Sequence, residues 1–218
     1  DGRTLYPGSG FIEEMGGPNA VARTLNIPLP PRTGTEGFLH IINTVVRPIL
    51  DEFQPDLVIN SAGQDNHYTD PLTDMNFCAQ GYAKLTELLK PDIAVLEGGY
   101  SIEGALPYVN LGIILALAGM DYSKVKEPGY NPEKIRQTDA ITRQVERTGE
   151  AVMKLWQQRR ELTEKRQADK EVEERKYHIM YDTDGIYETQ HETVRICKEC
   201  GGALRIDSSS DRGQRILG

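Results

Sequence analysis

Two short apolar runs, each closed by glycine and by side chains able to do chemistry, constrain this chain more than any other feature. The first, Asp56-Leu57-Val58-Ile59-Asn60, follows Pro55. It leads into Ser61-Ala62-Gly63-Gln64-Asp65-Asn66-His67-Tyr68-Thr69-Asp70-Pro71-Leu72. The second, Asp92-Ile93-Ala94-Val95-Leu96, follows Pro91 and ends in Glu97-Gly98-Gly99-Tyr100. Continuous apolar runs of this length, bounded by turn residues, read as buried strands. Between them, residues 77–90 have a helical period, with Tyr82, Leu85, Leu88 and Leu89 on one face. A strand, a helix and a second strand joined by a right-handed crossover form a parallel pair. The expected class is α/β, a parallel sheet with helices on both faces. Ligands of such sheets bind just past the carboxyl ends of the strands. Two aspartates, a histidine and a tyrosine are therefore expected around one cleft.

The flanking segments extend this pattern. Residues 1–24 are rich in glycine and read as a structured loop, and Leu25–Leu29 as a short edge strand broken by Pro28. From Thr35 to Phe53 the apolar residues recur at three and four, with Pro48 expected to kink or divide the helix. Ser101 is a candidate cap for a helix reaching about Ala118, apolar nearly all round and so expected to be buried on more than one side. The polar stretch 121–130 reads as a linker. Asn131-Pro132 then opens a long helix whose apolar stripe (Ile135, Ile141, Val145, Val152, Leu155, Trp156) fades into charge through Lys176. Beyond it, 177–181 and 193–196 read as strands, with Asp184-Gly185 as a hairpin turn.

Three cysteines are present, two of them as Cys197-Lys198-Glu199-Cys200-Gly201-Gly202. Strand, CxxCGG turn and strand are one half of a zinc ribbon, since glycines let backbone amides curl toward thiolates. Metal binding is the first reading of this spacing, redox chemistry the second and a disulfide the third. The other two ligands would come from past Gly218 or from another subunit. Cys78 reads as a small buried residue. The net charge of -8 argues against direct nucleic-acid binding. With neither a signal peptide nor a membrane span in the sequence, a cytoplasmic chain is expected. Asp1-Gly2-Arg3-Thr4 and Ile216-Leu217-Gly218 both read as interior sequence, so an internal piece of a longer protein is expected.

Four motifs together carry a family resemblance. Tyr6-Pro7-Gly8-Ser9-Gly10, Asn26-Ile27-Pro28-Leu29-Pro30, Ser61-Ala62-Gly63-x-Asp65-x-His67-x-x-Asp70-Pro71-Leu72 and Leu96-Glu97-Gly98-Gly99-Tyr100 resemble the C-terminal half of the histone deacetylase family. That family includes acetylpolyamine amidohydrolases and acetoin-utilisation proteins, and the likeness covers roughly residues 1 to 120. It implies an arginase-like sheet and a Zn2+-dependent hydrolysis of acetylated amines. It implies Asp70 as one catalytic zinc ligand and Tyr100 as the residue that donates a hydrogen bond to the oxyanion. Asp65 and His67 become loop supports. Tyr6, Phe77, Gly98 and Gly99 become candidates for the substrate channel, with the two glycines letting the backbone pass close to the metal.

The departures bear on activity. The family's Asp-x-His ligands and tandem histidines have no counterpart here, where the four histidines are His40, His67, His178 and His191. One carboxylate does not hold a catalytic zinc, so the chain alone is expected to be inactive. Gln64 stands where phenylalanine is usual, Thr73 where glycine is usual and Phe77 where leucine is common. The expected organisation is a catalytic part at 1–123, a linker with a long charged helix at 124–176, and an incomplete zinc-ribbon-like tail at 177–218, with a possible second, structural Zn2+. The acidic chain and ribbon-like tail suggest a prokaryotic enzyme. Its substrate would be an acetylated small amine or an acetyl-lysine protein, with homo-oligomer formation possible through the helix or tail. The competing reading is a non-catalytic deacetylase-like module used for assembly.

Overall fold

The computed structural model describes residues 9–17, 20–169, 171–181, 183–197 and 202–217. They divide into two compact units: Leu29–Glu150, and the described residues up to Pro28 together with those from Ala151 onward.

The first unit is α/β. Helix α1 (Thr35–Ile41) runs through a π-helical turn (Ile42–Val46) into α2 (Arg47–Phe53). Pro48, which has no N–H to give a carbonyl four residues back, sits at the start of α2, and the π turn absorbs the change of register just before it. Strand β1 (Ile59–Gly63) leads through α3 (Ala79–Leu89) to β2 (Ile93–Glu97), and the strands pair in parallel from Ile59 opposite Ile93 to Gly63 opposite Glu97. Helix α4 (Leu106–Leu117) follows.

The core of this unit is Ala62, Phe77, Ala79, Tyr82, Ala105, Val109, Ile113 and Val125. Phe77 anchors it, with its ring 4.6 Å from Phe38 and 4.4 Å from Tyr82 between centroids. At Gly81 a Cβ would meet the Phe77 ring at 2.6 Å, so this turn of α3 needs glycine for space alone.

Several expectations change. Residues 25–29 form no strand. The two apolar runs are not buried: among β1 and β2 only Ala62 is buried, and Leu96 is 74% exposed. Helix α4 buries Val109, Gly112 and Ile113 but leaves Leu111, Ile114 and Leu117 exposed, so one of its apolar sides is uncovered. Ser101 does not cap it through its side chain; its carbonyl accepts from the Ala105 and Leu106 amides instead.

Helix α5 (Asp139–Asp169) begins within the first unit and continues past Glu150; it starts eight residues after the Asn131 expected to open it, because residues 132–134 form a turn. Strands β3 (Val172–Tyr181), β4 (Ile186–Arg195), β5 (Ala203–Ser210) and β6 (Arg215–Leu217) make an antiparallel meander. Val172–Lys176, read as the end of the charged helix, are strand, because they pair along Thr193–Arg195 and the residues beside them. The tertiary ladder overrides the local charge pattern there.

Candidate functional site

The ends of β1 and β2 lie side by side, and the turns after them hold the candidate residues. Gly98 and Gly99 have φ of +51° and +106°. A Cβ on Gly99 would meet Gln64 Cβ at 2.7 Å, and one on Gly98 would meet the Asp65 carboxylate at 3.1 Å. Glycine is required here both for the left-handed backbone and for the close approach of the two turns.

Asp70 joins them. Its carboxylate is buried at 7% exposure, with Oδ1 accepting the Leu72 N–H at 2.9 Å. Oδ2 accepts the Tyr100 N–H at 2.8 Å. The first bond is an Asx turn around Pro71. The second ties the two strand-end turns together across 30 residues of sequence. The Tyr100 side chain stands outward, 52% exposed.

Asp65 lies between the turns. Burial raises its carboxyl above the usual carboxylate range, and the charges of Asp70 and Glu97 add to the rise against a backbone hydrogen bond. Its carbonyl accepts the Thr73 hydroxyl, so Thr73 closes the turn with its side chain. His67 is fully buried and bonds to Thr69 and Glu127. His67 is bonded through its ring, whereas the bond to Thr73 uses the Asp65 backbone carbonyl and not its carboxylate.

Gln64 is 1% exposed, with its amide N–H donating to Asn110 Oδ1 at 2.5 Å. Its own side-chain carbonyl has no partner among the described residues. Phe77, expected at a substrate channel, is a correction: it is 1% exposed and belongs to the core, because the Phe38 and Tyr82 rings enclose it. Tyr6 and Cys200 lie outside the described residues. Cys197 is half-buried just after β4.

Chain 1–111 matches the family model described as the histone deacetylase domain. The chain belongs to the histone deacetylase family. A probable deacetylase of Archaeoglobus fulgidus is 49% identical over 139 residues, covering 59% of this chain and 39% of that protein. The acetoin utilization protein AcuC of Bacillus subtilis is 33% identical over 129 residues, covering 55% of this chain and 33% of that protein. The chain therefore spans between a third and two fifths of the length of these relatives. Among solved structures, the HDA15 HD domain superposes with a TM-score of 0.59 at 25% identity, covering 75% of this chain and 45% of that one. The histone deacetylase Clr3 gives 0.55 at 26% identity, covering 71% and 26%. Members of the family generally depend on zinc, and the donors among the described residues do not make a site for it. Among the described residues no group of three or more histidine, cysteine or acidic side chains is placed to hold a metal ion. Asp70 is chemically suited to be one ligand of a set, and the described residues do not supply the rest.

The reading of the sequence missed Glu127. It falls in the polar stretch taken as a linker, yet it is 3% exposed and bonded to His67 from 60 residues away. Nothing in its local pattern marks it out; its neighbour Val125, also buried, was the available hint.

Proposed function

We propose that this chain is the C-terminal part of a zinc-dependent amidohydrolase that removes acetyl groups from acetylated lysine or polyamine-type amines. The observation that carries the reading is the bond from Tyr100 N–H to Asp70 Oδ2 at 2.8 Å, which couples a buried carboxylate to an exposed phenol at adjoining strand ends. Asp70 is one carboxylate of the metal set, and the metal when bound would supply Lewis acidity. Tyr100 is the catalytic residue of this chain. Its phenol, a donor at neutral pH, gives a hydrogen bond to the acetamide oxygen as negative charge grows there. Gly98 and Gly99 leave the approach to that oxygen free of side chains. Cys197 and Cys200 would be two of the ligands of a structural zinc. The chain alone would be inactive, and any self-association would run through α5 or the meander.

The test is acetate release from acetyl-lysine peptides and acetylated polyamines by the full-length protein, with metal content measured alongside. Tyr100→Phe is expected to lower kcat by about 100- to 1000-fold with metal retained, the usual effect of losing one oxyanion donor. Asp70→Ala is expected to lose the catalytic metal while Cys197→Ser keeps it. A full-length protein that binds zinc only through Cys197 and releases no acetate would leave the assembly-module reading in place.

A further inference from the structure

A line of hydrogen bonds, buried at Glu127 and His67 and partly buried at Thr69 and Ser101, runs behind the Asp70–Tyr100 pair and uses groups to which the reaction assigns no part. It starts at Glu127, 3% exposed, whose Oε1 lies 3.2 Å from His67 Nε2 and 3.5 Å from the Ala79 amide at the start of α3. Burial acts to raise this carboxyl, but the hydrogen bond and charge of His67 and the backbone amides outweigh it and hold it below the usual range. Glu127 therefore stands in the chain as an anion.

The direction of each bond follows from one backbone group. The Thr69 N–H lies 3.2 Å from His67 Nδ1. A backbone N–H can only donate, so Nδ1 is the bare acceptor and Nε2 carries the hydrogen toward Glu127. The Thr69 hydroxyl, 2.9 Å from Nδ1, then donates to it as well. It is left to accept from Ser101 Oγ at 2.6 Å. Every bond points the same way: Ser101 to Thr69, Thr69 to His67, His67 to Glu127. Donors aligned in this way polarise one another and end on a charge.

The space is shaped for the last link. A Cβ on Gly104 would come within 2.7 Å of Ser101 Oγ and 3.0 Å of Thr69 Oγ1. The two ends of the line also meet the site. Thr69 precedes Asp70, and Ser101 follows Tyr100.

We propose that Glu127, His67 and Thr69 are positioning residues, holding Ser101 so that the Tyr100 turn stays docked on Asp70. The turn is then held at two points, by Tyr100 N–H on Asp70 and by Ser101 on Thr69, and the second point is braced from the core. The consequence for catalysis rests on the reading of Tyr100 given above; the docking itself does not.

Thr69→Val keeps the shape of the side chain and removes the hydroxyl that both accepts and donates. Hydrogen exchange of the Tyr100 amide in the full chain is expected to quicken about tenfold, one hydrogen bond's worth. The amides of α3 and α4 should keep their rates. Gly104→Ala, which wedges the same contact from outside, should do likewise. Glu127→Leu should match Thr69→Val, and Glu127→Gln, whose carbonyl still accepts from Nε2, should recover most of the loss. In the full-length protein kcat should fall about tenfold in Thr69→Val with KM within twofold, as for a group that acts on placement alone. Unchanged exchange at Tyr100, or an equal rise at all amides of the unit, would overturn the proposal. If the wild-type full-length protein releases no acetate, the proposed function falls, while the exchange pattern still decides the docking.

Discussion

The unit from Leu29 to Glu150 and the meander of β3 to β6 solve different problems. The first encloses side chains: Phe77, Ala79, Ala83 and Val109 are at or below 1% exposure, brought together from α3, α4 and the turn after β1. In the meander none of the described strand residues is buried. Its strands alternate in part between half-buried and exposed positions, with Tyr177 and Ile179 on the partly covered face and His178 and Met180 on the other. Cross-strand pairs such as Ile179 opposite Glu188 and Tyr181 opposite Ile186 set its register. An enclosed core can hold unlike polar groups in fixed relation, and the candidate site lies there. An open antiparallel sheet offers a surface and little enclosure. The difference explains why the dense polar network around His67 belongs to the first unit.

The largest blow to this contrast should come from Phe77→Ala, which empties the space between Phe38 and Tyr82. Loss of a buried phenylalanine costs about 3–5 kcal/mol. Urea denaturation should show that loss, and amide exchange should confine it to Leu29–Glu150. An equal weakening of β3 and β4 would show that the two regions are not distinct in stability.

Asn110→Leu should cost about 1–3 kcal/mol, because it strands the remaining polar end of buried Gln64. Gln64→Leu with Asn110→Leu removes both partners and the unpaired Gln64 carbonyl, so the double variant should recover that loss or exceed wild type. A double variant no better than the single would mean that the Gln64 carbonyl is satisfied in solution.

Asp65→Asn should act with a pH dependence of known sign. The folded carboxyl is raised above its ordinary 3.8, so its charged form opposes folding. The variant should be more stable than wild type above the raised folded value. The gain should shrink as pH falls through that value, and vanish below 3.8, where both states are protonated. Denaturation midpoints measured from pH 7 down to 3.5 check it. A gain that persists at the lowest pH would assign the effect to shape instead of charge.

The smallest effect should be Met180→Lys on the exposed face of β3, within about 0.5 kcal/mol. A larger loss would show that this face is covered in solution.

Much of the frame was legible in the chain order. The β1–α3–β2 succession follows from two apolar runs around a helical period. The Asp184-Gly185 hairpin follows from turn chemistry, with Gly185 at φ +59°. Asp70, Gly98, Gly99 and Tyr100 stood out because glycine and carboxylate patterns at strand ends are local signals. The misreadings were of other kinds. Phe77 was a channel candidate through the family resemblance, and only packing shows that its ring lies in the core. Val172–Lys176 looked helical because charge runs carry no mark of a strand partner.

The sequence by itself determined the β1–α3–β2 succession and the residues that close the strand ends, because those choices rest on periods and dihedral preferences within a few positions. Tertiary structure alone decided which apolar faces are covered, and that Glu127 reaches His67. Burial and a hydrogen bond across 60 residues are properties of the packed chain, and no local pattern encodes them.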